Sequence, residues 1–175
     1  MPFSCAMRRP VIGAIGVVAA LAGIAASSSG ALAAGASATS CRTSGLVVWL
    51  DTEGNATAGT VFYTMHFTNL SGRTCSVRGY PGVSAVSLGG RQLGNSASRD
   101  TGSPVRTITL RNGTSASADL GIVDTGNFST SMCQPVTAAG LKVFPPGQSA
   151  AKTIPFPFSA CSRGGVSYLK IRAVT

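Results

Sequence analysis

The stretch Val61-Phe-Tyr-Thr-Met-His-Phe-Thr-Asn-Leu-Ser-Gly-Arg-Thr-Cys-Ser-Val-Arg-Gly-Tyr-Pro-Gly82 decides the fold. Val61, Tyr63, Met65 and Phe67 alternate with Phe62, Thr64, His66 and Thr68, the two-residue period of a strand with one wholly apolar face. β-Branched and aromatic residues, which suit a pleated surface better than a helix, crowd the same window. Asn69 to Arg73 supplies turn chemistry, with Gly72 free to take a positive φ. Thr74 to Tyr80 then reads as a short returning strand that carries Cys75 and stops at Pro81-Gly82.

Upstream of this stretch, Leu46 to Leu50 reads as a first strand, ended by a loop of turn formers from Asp51 to Gly59. Downstream, Val83 to Leu88 is a strand that Gly89-Gly90 turns into Arg91-Gln-Leu93. Gly94 to Ser103 reads as loop. Val105 to Leu110 reads as a strand, followed by the hairpin signal Asn112-Gly113. Ser115 to Val123 places Ala116, Ala118, Leu120 and Ile122 on one face. A strand running from Cys133 to Phe144 is stopped by Pro145-Pro146-Gly147. Lys152 to Phe158 carries Pro155 and Pro157, which assigns it to a sheet edge or an extended loop. Tyr168 to Val174 closes the series, with Leu169, Ile171 and Ala173 opposite Lys170 and Arg172. The expected fold is all-β: an antiparallel, immunoglobulin-like β-sandwich of roughly eight strands. A small closed barrel is the competing architecture.

Ahead of these strands lies an export signature. Arg8-Arg9 precedes Val11 to Ile24, an uncharged apolar run of about 14 residues, where a bilayer-spanning helix needs roughly 20. Ala36-Ser37-Ala38 has the small-x-small pattern of a cleavage site. Residues 1–38 are therefore read as a signal peptide and 39–175 as a single β-sandwich domain with no stable membrane span; retention of the apolar run as an anchor is the other outcome. Arg8-Arg9 lacks the continuation of a twin-arginine signal, and Cys41 lies too far downstream for lipidation. Without its first 38 residues the chain holds 12 basic and 5 acidic groups, a net charge of +7. Four cysteines remain: Cys41, Cys75, Cys133 and Cys161. In an exported chain an even four implies two disulfides with three possible pairings. Cys41–Cys75 with Cys133–Cys161 is preferred, since each bond then staples neighbouring segments.

Catalytic chemistry finds little to work with. His66 is the one histidine, and no Gly-x-Ser-x-Gly turn marks a nucleophile beside it. It shares a face with Phe62, Thr64 and Thr68, as an ordinary half-exposed strand residue would. Met65 and His66 point to opposite faces of their strand and cannot share a metal ion. The cysteines lack zinc-site spacing. The acid pair Asp51 and Glu53 falls in a solvated loop, and Asp119 and Asp124 face opposite ways. Gly89-Gly90 and Gly164-Gly165 read as turns, without a phosphate-loop context. No catalytic, cofactor or metal residue is assigned. Trp49 and Tyr80 read as core-packed, and Phe156 with Phe158 as a sheet-edge anchor or an apolar contact strip.

The collective signal is basic. Arg73, Arg78, Arg91, Arg99, Arg106 and Arg111 span the middle of the chain with only Asp100 among them. Some must share a surface that attracts an anionic polymer or an acidic partner. Nucleic acid is not expected, because the arginines are not interleaved with a stacking pattern of aromatics.

Cys41-Arg-Thr-Ser-Gly-Leu46, Phe67-Thr-Asn-Leu-Ser-Gly-Arg-Thr-Cys75, Arg78-Gly-Tyr-Pro-Gly-Val83 and the segment from Cys133 to Gly147 together resemble the actinobacterial exported family called domain of unknown function 4232. The resemblance implies an exported β-sandwich with its cysteines joined first to second and third to fourth. It implies no activity. The functional expectation is a non-catalytic binding or scaffold module at the cell envelope or in the medium. Its contacts would be Arg73, Arg78, Arg91, Arg106, Arg111 and Tyr80, and its partner an anionic cell-wall polymer or another exported protein. The alternatives are a secreted hydrolase using His66 and a passive structural or inhibitory protein.

Overall fold

A computed structural model describes residues 38–175; the export-signal readings for 1–37 lie outside the described residues. In chain order the strands are β1 (Leu46–Leu50), β2 (Asn55–Thr57), β3 (Thr60–Asn69), β4 (Cys75–Arg78), β5 (Gly82–Val86) and β6 (Gln92–Leu93). They continue with β7 (Ser98–Asp100), β8 (Thr107–Leu110), β9 (Ser115–Val123), β10 (Pro135–Phe144), β11 (Lys152–Cys161) and β12 (Leu169–Arg172). A single-turn α-helix, α1 (Thr130–Cys133), precedes β10, and 3-10 turns occupy Thr43–Gly45 and Thr125–Asn127. No helix among the described residues is long and apolar enough to cross a membrane.

The long strand β3 is the spine of a six-stranded sheet ordered β1-β3-β9-β12-β7, with β2 also paired to β3. Its partner on the inner side is β9, in register from Thr60 opposite Val123 to Thr68 opposite Ser115. A four-stranded sheet runs β11-β10-β5-β6, and β4 with β8 makes a separate two-stranded ribbon. Alternation does the sorting. Met65 and Phe67 of β3, and Ala116, Ala118 and Leu120 of β9, are buried on one face. They share a core with Val83 and Ala85 of β5, Leu141 and Val143 of β10, and Leu169 and Ile171 of β12. Tyr63 of β3 meets Phe156 of β11 edge-on, with ring centroids 4.9 Å apart, so the inner faces of the two larger sheets touch. Phe156 and Phe158 pack against the core from the edge strand β11. Pro155 and Pro157 blunt that edge by withholding donors.

Three expectations need correction. The return strand after Gly72 does not pair with β3. Instead β4 leaves the sheet and pairs with β8, Cys75 opposite Leu110 and Arg78 opposite Thr107. The Asn112-Gly113 turn forms, with Gly113 at φ +84° and the Thr114 amide donating to the Arg111 carbonyl. It carries the chain from the ribbon β4–β8 into β9 of the large sheet, so it is not a hairpin. Finally, the sheets are not wholly antiparallel: β7, in the segment read as loop, pairs in parallel with β12. The two further strands beyond the sequence reading, β2 and β7, are three residues each, too short for periodicity to register.

Two disulfides join Cys41 to Cys75 and Cys133 to Cys161. The first ties the chain before β1 to the ribbon, and the second ties the end of α1 to the end of β11. In β10 the register shifts between Ala138 and Gly140. A Cβ at Gly140 would collide with the Ile154 carbonyl, so the bulge requires glycine.

Tyr168 is the largest fully buried side chain. Its hydroxyl donates to the Leu93 carbonyl at 3.0 Å, bridging the lead-in to β12 with β6. Burial pushes its phenol from the ordinary value of 10.0 up to about 12. The unfolded chain thus releases this proton more readily than the folded one. The stability it confers is intact below pH 10 and is lost as pH rises through 12, by up to about 2–3 kcal/mol. We expect the urea midpoint to fall over this window, and Tyr168→Phe to flatten that part of the decline.

Candidate functional site

The arginines singled out in the sequence sort into three places. Four bracket the ribbon. One strand segment reads Arg73-Thr-Cys-Ser-Val-Arg78 and its antiparallel partner reads Arg106-Thr-Ile-Thr-Leu-Arg111. Cys75, Val77 and Leu110 are buried, while Thr107, Thr109 and all four arginines are exposed. The paired strands are Cys75–Arg78 and Thr107–Leu110, about 10 Å long, so arginines stand at or just beyond each end of a hydroxyl-lined strip. Arg78 Nη1 donates to Thr107 Oγ1 at 3.4 Å. None of the four makes an ion pair among the described residues.

Arg91 stands apart at the β5–β6 hairpin. Arg99, on β7, lies over the Tyr80 ring at 5.4 Å. Tyr80 is half-buried beneath it, so it is neither a core lid nor a bare loop-tip aromatic.

The ion-paired arginine is Arg172, on β12. Its Nε donates to Asp100 Oδ2 and its Nη1 to Asp119 Oδ2, each at 3.2 Å. The Gly102 backbone amide and then the Arg172 guanidinium hold the Asp100 carboxyl below its usual range. Lys170 and Arg172 read as outward-facing from alternation alone. The acidic partners of Arg172 depend on the β7–β12 and β9–β12 registers, which the sequence does not display.

Trp49 corrects the sequence reading most sharply. It is 42% exposed and lies on the outer face of the six-stranded sheet. Its indole stacks on the His66 imidazole directly across the β1–β3 pair, with centroids 4.0 Å apart and planes 15° from parallel. Its Nε1 donates to Thr68 Oγ1 at 3.1 Å, and Thr68 Oγ1 meets Ser115 Oγ at 2.8 Å. His66 Nε2 lies 3.1 Å from Asp51 Oδ2. The run Leu46-Val-Val-Trp-Leu50 is apolar at every position, so periodicity could not say which face is outside. The available signal was Asp51, two residues beyond Trp49 and hence on the same face.

Beside this stack a polar recess of about 580 Å³ is lined by Asp51, Thr52, Glu53, Gly54, Asn55 and Thr64. Farther along the same face Phe62 stands opposite Gly121, where a Cβ would come within 3.0 Å of its ring. The Arg172 guanidinium sits 5.5 Å from the Phe62 ring centroid. Ser115 and Ser117 bond to Thr68 and Thr175, and the side-chain hydrogen bond recorded for the imidazole is to Asp51. No group of three or more His, Cys, Asp or Glu side chains that could hold a metal ion occurs among the described residues.

Two larger sheets, an arginine-bracketed ribbon and two disulfides define an all-β, disulfide-bearing domain. The family model described as Domain of unknown function (DUF4232) matches residues 41–175, and the chain belongs to that family. Comparison with curated proteins and with solved structures gave no match.

Proposed function

We propose that the protein is a non-catalytic, exported binding module that holds anionic polymer of the cell envelope on the β4–β8 ribbon. The observation that carries this reading is the ribbon itself: four exposed arginines bracketing two paired strands, with no acid in either segment. Arginine presents a planar fork of donors suited to phosphate and carboxylate oxygens, and Thr107 and Thr109 add hydroxyls between the two arginine pairs. The pairing of β4 with β8 keeps these like charges at the ends of one short ribbon, and an anionic chain lying along it would relieve their repulsion. The two disulfides support a working place in an oxidising compartment.

Retention of the exported chain on isolated cell walls tests this. It is expected to be strong at low salt and to fall steeply as salt shortens the screening length. At about 1 kcal/mol per basic residue near an anionic surface, replacing Arg73, Arg78, Arg106 and Arg111 by glutamine should weaken retention tenfold or more at low salt. Replacing Arg91 and Arg163 instead should have a much smaller effect. Retention indifferent to salt, or equal in both variants, would defeat the reading.

A further inference from the structure

We infer that the outer face of the six-stranded sheet around Trp49 is a second binding site, and that its ligand is a neutral oligosaccharide. The chemistry of the face differs from that of the ribbon. Trp49 is a large ring held in the open by contacts that orient it without covering it. His66 stacks on one side, Thr68 holds its Nε1, and Asp51 and Ser115 fix those two supports. A ring fixed in this way loses little conformational freedom on binding. The C–H face of a sugar is a flat apolar surface that such an indole can cover, while the sugar's hydroxyls need polar partners alongside.

The recess supplies those partners. Asp51 and Glu53 offer carboxylate acceptors, Asn55 an amide, and Thr52 and Thr64 hydroxyls. Its volume of about 580 Å³ is within the range that takes a small ligand. Asp51 belongs to both halves, bonding the imidazole under the indole and lining the recess. No basic residue lines it, so in a strongly basic chain an anionic polymer is repelled here, and a neutral polyol is not. Of the two carboxylates a cation would need to balance its charge, that of Asp51 is already engaged with His66.

Trp49 is the chain's single tryptophan, so its emission reports on this face alone. The exported protein titrated with cellohexaose, chitohexaose and mannohexaose should show a saturable change with at least one of them. That response should persist in salt sufficient to release the protein from cell walls, which separates this site from the arginine ribbon. By calorimetry, Trp49→Ala should weaken the same sugar at least tenfold. Glu53→Gln, at an exposed position whose side chain bonds no other group among the described residues, should leave the fold intact and weaken it about threefold or more. The inference is overturned if none of the three sugars changes the emission. It is equally overturned if Trp49→Ala and Glu53→Gln bind as the parent does, or if calcium alone reproduces the response and a chelator abolishes it.

Discussion

Replacing Asn69 with alanine should destabilise the domain by about 3 kcal/mol, although the side chain touches no ligand surface. Asn69 ends β3 and is fully buried. Its Nδ2 donates to the carbonyls of Arg73 at 2.7 Å and Leu110 at 3.0 Å. Its Oδ1 accepts from the Ser71 amide at 3.0 Å and the Ser71 hydroxyl at 2.7 Å. One amide thus closes its own turn, reaches the start of the ribbon, and grips the end of β8. Alanine would remove all four bonds at once and leave the buried Leu110 carbonyl without the amide that meets it. The thermal midpoint should drop by about 10 °C, since about 1 kcal/mol shifts a domain of this size by roughly 2–4 °C. Asn69→Asp should not rescue it, because the carboxylate replaces two donors with a buried charge facing carbonyl oxygens. A midpoint within about 2 °C of the parent for either variant would show that the turn holds by other means.

The second large effect belongs to the bond between Cys133 and Cys161, both fully buried. On the chain-entropy account, a loop of 28 residues contributes about 3.5 kcal/mol. Substituting both cysteines with alanine removes that constraint on the unfolded chain and leaves a small void where the two buried sulfurs stood. Urea unfolding of the double variant should give a midpoint lower by about 2 M, taking a slope of about 1.5–2 kcal/mol/M. The Arg163 amide to Cys133 carbonyl contact and the paired strands β10 and β11 remain. The double variant should therefore still fold at room temperature, with unchanged far-ultraviolet circular dichroism. A midpoint shift below about 0.5 M would mean that the unfolded ensemble gains little freedom when the bond is absent.

What the chain shows by itself is its strand content and its inner faces. Met65 and Phe67, Ala116 through Leu120, and Leu169 with Ile171 are apolar every second residue, and each set is buried. Pro155 and Pro157 left a sheet edge or an extended loop, and β11 is the edge strand of its sheet. Partner choice was not readable. The segment Thr74 to Tyr80 follows a good turn and so looked like the second arm of a hairpin. Asn69, tied to both Arg73 and Leu110, steers it to β8 instead. That single redirection creates the ribbon and gathers four of the arginines. Their pairing was therefore invisible until the register was known, even though each residue had been marked. Trp49 was misjudged for the complementary reason: an unbroken apolar run hides which of its members faces outward. Asn69 and Ser71 carried the likeness to the family, and their role is to build the crossing between the sheets.

The position of β12 bears on how the molecule reaches its final state. It is the last strand in chain order, yet it sits between β9 and β7, inside the largest sheet. Until residues 168–172 arrive, β9 keeps one open flank, β7 has no neighbour to pair with, and Tyr168 is not there to meet Leu93. The largest sheet is thus closed by a segment more than 45 residues downstream of β9, so its middle cannot seal until that distant stretch docks, and early pairing of β3 with β9 would leave an unzipped seam awaiting it.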